Sequence, residues 1–195
     1  KYLRSKIPWV VTEDDEYPIF DDSKIKNFLH KTYDPLLGWN WKPNTKHKEK
    51  INSRFNNIFF GKLGERKSPK FGKKYKFASF GDSFVFCRYV KNNQTWQNYL
   101  TTSSTHNGLN FGVGNFGLDQ IYLKYSTTNI PKNIKTIFIG FVPETLSRCL
   151  CSWKHYHEFK NIYAFKPKFV LKKNKLLLIK NPIKSYKSFD KINEN

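Results

Sequence analysis

KFASFGDSFVF, residues 76–86, is the stretch whose reading decides the fold. Lys76 to Phe80 is a short apolar run that suits a buried strand. Gly81 then breaks it with a residue free in its backbone angles, and Asp82 and Ser83 bring side chains suited to a helix start. Strand, sharp turn and helix N-terminus meet at Ser83. A serine in that position suits nucleophilic chemistry, because the backbone N–H groups opening the next segment stabilise an alkoxide and the oxyanion it generates. Gly-Asp-Ser by itself is short, and a plain capped loop would use the same residues.

Some thirty residues later comes GLNFGVGNFGLDQ, Gly108 to Gln120, which reads as a strand ending in Asn-x-Gly-Val and a glycine-rich turn into a helix. Two such blocks in this order, each at a strand end, resemble the SGNH (GDSL-type) hydrolases. The segment ahead of them, with Leu-Gly-Trp at residues 37–39 and Ile-Asn-Ser-Arg at residues 51–54, is similar to the lead-in of some bacterial SGNH proteins. The resemblance implies a three-layer α/β sandwich on a parallel, flavodoxin-like sheet. It further implies an esterase that hydrolyses acyl or acetyl esters of a small molecule or carbohydrate, through an acyl-serine intermediate and without a cofactor.

Carried over residue by residue, the resemblance makes Ser83 the nucleophile and its own N–H one oxyanion donor, with Asp82 supporting the turn. Laying Asn-x-Gly-Val on Asn110 to Val113 puts Asn115 where the family has a glycine that donates its backbone N–H. Asparagine tolerates the left-handed region better than most residues and keeps that N–H. The third donor of the family is an asparagine side chain after the third strand, where this chain has Glu144 and Thr145. A threonine hydroxyl substitutes imperfectly, whereas a carboxylate repels an oxyanion. Arg148, one helical turn on, either holds an acidic substrate or pairs with Glu144.

The family's Asp-x-x-His block has no counterpart, since no aspartate has a histidine three positions later. The expectation is therefore an incomplete enzyme whose base lies downstream of Asn195, with Ser83 out of reach of any histidine and little esterase activity. The alternative is a catalytically silent SGNH-like module that holds a polyanion on its basic surface. His155 and His157 follow the third strand, in a segment that reads as insertion. Cys149, Cys151, His155 and His157 match no structural zinc spacing, so no metal site is expected.

The chain has 195 residues, 38% hydrophobic and 17% aromatic, enough for one good-sized core. Its apolar runs are too short to span a bilayer, and its start lacks the apolar stretch of a signal peptide. Net charge is +20, which favours an anionic partner. The basic residues are mostly lysine and lie scattered, densest at residues 42–50, 66–76 and 166–175. A solvated lysine surface explains this, and the sparseness of arginine argues against nucleic acid.

Residues 1–74 read as an irregular extension and 75–195 as the hydrolase-like core. In the extension the acidic clusters at Glu13 to Glu16 and at Asp21 and Asp22 read as solvated charge. Trp39 and Trp41 are packing residues or a stacking platform, and residues 51–60 suit an edge hairpin. In the core, helices are expected over residues 94–102, with Trp96 and Leu100 inward, and 118–127, with Ile121, Tyr122 and Tyr125 inward. Residues 135–142 read as a central parallel strand and 168–182 as an inserted hairpin.

Overall fold

The computed structural model describes residues 18–51, 53–68, 75–102, 107–158 and 161–193. Contacts divide the chain into two compact units, Asn40–Leu150 and a second made from the chain before Asn40 and after Leu150. Residues 40–68 thus fall in the same unit as the parallel sheet, although the sequence suggests a boundary at 74.

In the split unit, α1 (Asp22–Lys31) starts at Asp21, whose carboxylate accepts from the Lys24 N–H at 2.8 Å and the Ser23 hydroxyl at 2.6 Å. The Asp21–Asp22 pair is therefore a helix cap with an acidic first turn, not idle surface charge. The cluster Glu13 to Glu16 lies outside the described residues. Two short strands follow, β1 (Tyr33–Asp34) and β2 (Gly38–Trp39), paired antiparallel.

The continuous unit opens with β3 (Lys46–Ile51) and β4 (Arg54–Phe59), an antiparallel ribbon. Residues 51–60 therefore do not form a hairpin among themselves. Their partner is the lysine-rich run before them, whose alternation of exposed lysine with buried Glu49 and Ile51 fits a strand that covers one face. Next comes β5 (Tyr75–Phe80), then the single-turn helix α2 (Ser83–Phe86) and α3 (Trp96–Thr102). They are followed by β6 (Asn107–Asn110), α4 (Leu118–Thr127), β7 (Thr136–Ile139) and α5 (Pro143–Ser147).

β5, β6 and β7 form a parallel three-stranded sheet in the order β6-β5-β7. Ala78 lies between Leu109 and Ile137, and Ser79 between Asn110 and Phe138. The central strand is thus β5. Residues 136–139, read from their continuous apolar run as central, are an outer strand among the described residues, with Phe138 and Ile139 exposed. The other side of the sheet is partly covered, since the Arg66 N–H donates to the Asn110 carbonyl at 2.8 Å.

The helices keep part of the apolar face that periodicity predicts, with Trp96 against Phe77 and Phe138 and Ile121 buried, and they also bury polar residues that it did not show. On α3, Gln97, Asn98 and Thr101 are buried while Leu100 is exposed. Polar burial is tolerated because the groups are satisfied: the Gln97 amide donates to the Val85 carbonyl at 2.8 Å and to Ser79 Oγ at 3.0 Å. On α4, Gln120, Ile121, Leu123 and Lys124 are buried, and Tyr122 faces out.

Back in the split unit, β8 (Lys168–Lys172) and β9 (Lys175–Ile179) form the expected hairpin. Lys173 and Asn174 between them take positive φ, 49° and 58°, as a tight two-residue turn requires. α6 (Lys187–Asn193) contributes Phe189 to a core with Phe20, Ile25, Phe165 and Ile183.

Candidate active site

Ser83 stands at the carboxyl end of the central strand, as the first residue of α2 and partly exposed. The helix is only one turn long, because Cys87 enters the left-handed region at φ 61° and ends it. Among the described residues the Ser83 hydroxyl makes no hydrogen bond, so no histidine is bonded to it.

The turn that carries that serine is tied down at its backbone and at Asp82. Asp82 is 1% exposed and caps α2, accepting from the Phe84 N–H at 2.9 Å. Its other oxygen meets Arg148 Nη1 at 3.3 Å, and the same Nη1 donates to the Phe116 carbonyl at 3.2 Å. One buried guanidinium therefore joins the turn after β5, the turn after β6 and the helix after β7. Arg148 is built into the site's frame, where the sequence had left it to a substrate or to Glu144.

At the other end of α2, Arg66 is buried and donates to the carbonyls of Phe86, Cys87 and Val90 at 2.8, 2.9 and 2.7 Å, and to Asn92 Oδ1 at 3.1 Å. Desolvation lowers its pKa to about 10, so it remains a cation at neutral pH. Sequence reasoning missed it. A signal existed: the chain has five arginines against thirty lysines, and Arg66 and Arg148 are both buried against α2 and its flanking turns. The planar five-donor fork reaches several carbonyls at once, which lysine cannot do.

The turn after β6 comes close beneath α2. A Cβ on Gly112 would lie 2.2 Å from the Phe86 backbone nitrogen, so only glycine fits there. Asn110 Oδ1 accepts from the Gly112 N–H at 3.0 Å, and the Val113 N–H extends the pairing to the Gly81 carbonyl at 3.0 Å. Asn115, two residues on, adopts φ 66°, the left-handed conformation expected of the position.

Thr145 is placed unlike an oxyanion donor. It is fully buried, and its hydroxyl proton goes to the Val142 carbonyl at 2.6 Å, closing the first turn of α5. Its carbonyl accepts from Cys149 Sγ at 3.4 Å. Cys87 is half-buried, and burial raises its thiol pKa. His155 and His157 belong to the other unit, where His155 is buried beside Trp153 with ring centroids 5.3 Å apart and His157 is exposed. Among the described residues no group of His, Cys, Asp and Glu is placed to hold a metal ion, and no helix is long and apolar enough to cross a membrane.

A cavity of about 420 Å³ opens between Tyr75, Asn107 and Gly108 and the segment Gly61–Ser68. Those residues begin β5 and β6, so the cavity lies at the opposite end of the strands from Ser83. Compared with protein-family models and with curated proteins, the chain matches none.

Proposed function

We propose that this chain carries the nucleophile and oxyanion elements of an SGNH-type serine esterase acting on acyl or acetyl esters of a small molecule or carbohydrate. The observation that carries the reading is the Gly-Asp-Ser turn at the end of the central parallel strand, with Asp82 fixed by Arg148. The order β6-β5-β7 supports a doubly wound, flavodoxin-like sheet. With right-handed crossovers, the connections leave β5 and β6 in opposite directions and open a crevice beside the carboxyl end of β5. Ligands of such sheets bind there, and Ser83 is the nucleophilic side chain at that end of β5.

In this reading Ser83 Oγ attacks the ester carbonyl while its proton passes to a base. The carbonyl oxygen, now an anion, is held by the N–H groups of Ser83 and Asn115. Collapse expels the alcohol, and water then cleaves the acyl-serine. Asp82, Arg148 and Arg66 hold the turn and touch none of the reacting atoms. Because the Ser83 hydroxyl makes no hydrogen bond to a base among the described residues, an added base should substitute in part. The test is hydrolysis of p-nitrophenyl acetate with and without imidazole. The wild-type protein should gain an imidazole-dependent rate that Ser83→Ala lacks, and equal rates in the two proteins would refute the assignment.

The second reading is a silent scaffold that binds a polyanion, favoured by the commitment of the Thr145 hydroxyl to Val142. It predicts binding to heparin or single-stranded DNA that weakens as salt rises, with no acylation of Ser83. Binding that stays flat to moderate ionic strength removes it.

A further inference from the structure

Pairing across the β3–β4 ribbon sets Lys46 opposite Phe59, Lys48 opposite Asn57 and Lys50 opposite Phe55. Side chains alternate along a strand, so these residues share one face, and all of them are exposed. The opposite face carries buried Glu49, Ile51 and Ile58, with Ile58 in a cluster with Phe60, Phe86 and Trp41. Folding thus converts a lysine run that looks like diffuse surface charge into two parallel rows, lysines on β3 and Phe-Asn-Phe on β4.

Both rows are open. Phe55 is 74% and Phe59 45% exposed, and among the described residues neither ring lies against another ring. The three ammonium groups have no ion pair or hydrogen bond there. Residues two apart on a strand are about 7 Å apart and neighbouring strands about 5 Å apart. A single-stranded polynucleotide has a matching layout, with phosphates at a similar repeat along one side and flat bases along the other. Lysines on the first row meet phosphates, the two phenyl rings stack bases, and the Asn57 amide offers a donor and an acceptor to a base edge. A duplex has its bases already stacked, a sulfated polysaccharide has charge without aromatic faces, and a lipid surface has no reason to separate the rows.

We propose that the outer face of the β3–β4 ribbon is a binding site for single-stranded nucleic acid. The proposal is independent of any chemistry at Ser83, and it reverses the expectation drawn from scattered lysines. The net charge of +20 would speed the encounter.

The experiment is fluorescence anisotropy with labelled oligothymidylate and oligouridylate, about a dozen nucleotides long, over a salt series. The Phe55→Ala/Phe59→Ala protein should bind at least tenfold more weakly with an unchanged salt slope, since each lost stack costs about fivefold to a hundredfold. Replacing Lys46, Lys48 and Lys50 by Gln should flatten the slope of log affinity against log salt by about 2, or roughly 0.7 per lysine. Every substituted side chain is exposed, so both variants should keep the wild-type unfolding midpoint. Binding of either the deoxy or the ribo strand in this pattern supports the site. Failure to bind both, or binding that ignores the phenylalanines and is matched by duplex DNA or heparin, overturns it. So does phenylalanine-dependent binding to phosphatidylserine vesicles by a protein that does not bind the oligonucleotides.

Discussion

Replacing Arg148 by Met removes the cation that faces Asp82 while keeping much of the side-chain volume. The carboxylate is 1% exposed, and among the described residues its only other partner is the Phe84 N–H, so it would remain buried with one donor there. The Phe116 carbonyl loses the same guanidinium nitrogen. Breaking a buried pair on one side costs about 3–5 kcal/mol, a large share of the roughly 5–15 kcal/mol that holds a domain together. With a urea m-value of about 1–3 kcal/mol per molar, the midpoint should fall by at least about 1 M. Adding Asp82→Asn to Arg148→Met should recover part of the loss, because a neutral amide is far cheaper to bury than an unpaired carboxylate. The assay is equilibrium urea unfolding of the wild type, both single variants and the double. A cost below about 1 kcal/mol for Arg148→Met, or additive effects within about 0.5 kcal/mol, would refute the claim that this pair holds the site's frame.

Arg66→Lys should destabilise the protein by about 1–3 kcal/mol by thermal or urea unfolding, because a single ammonium cannot serve the carbonyls of Phe86, Cys87 and Val90 together. Thr145→Val should change Ser83-dependent acyl transfer by less than about twofold, whereas an oxyanion donor would cost about a hundredfold to a thousandfold. Cys87 should react slowly with iodoacetamide at neutral pH, since burial raises its thiol pKa. The same shift makes the protonated thiol the form favoured by folding. Its contribution to stability is therefore full below the ordinary thiol range and declines as pH rises through it, which urea midpoints measured on either side of that range will show.

The strand, turn and helix start at residues 76–86 were legible because each step is local: an apolar run, a glycine and a capping aspartate. The left-handed Asn115 and the hairpin over residues 168–182 were legible for the same reason. What stayed hidden depends on distant partners. Gln97 and Asn98 face inward on α3 because Val85, Ser79 and Ser68 supply hydrogen bonds there, so of the apolar pair only Trp96 packs on the sheet, against Phe77 and Phe138, while Leu100 is exposed. β7 has the composition of a buried strand, yet among the described residues the sheet order makes it an edge. The run Lys-His-Lys-Glu-Lys-Ile at residues 46–51 reads as charge until its pairing with β4 reveals the alternation. Arg148 and Asp82 lie far apart in the chain, and only the fold shows that they are partners.

The central claim is that Ser83 is the nucleophile. Its most direct measurement is peptide mass spectrometry of the intact protein after exposure to a fluorophosphonate probe in the presence of imidazole. The account predicts a phosphonylated serine at position 83, no labelling of that peptide in Ser83→Ala, and weaker labelling in Arg148→Met under conditions where that variant is folded. Labelling at another serine with Ser83 untouched, or no labelling while a hydrolase control reacts fully, would contradict it.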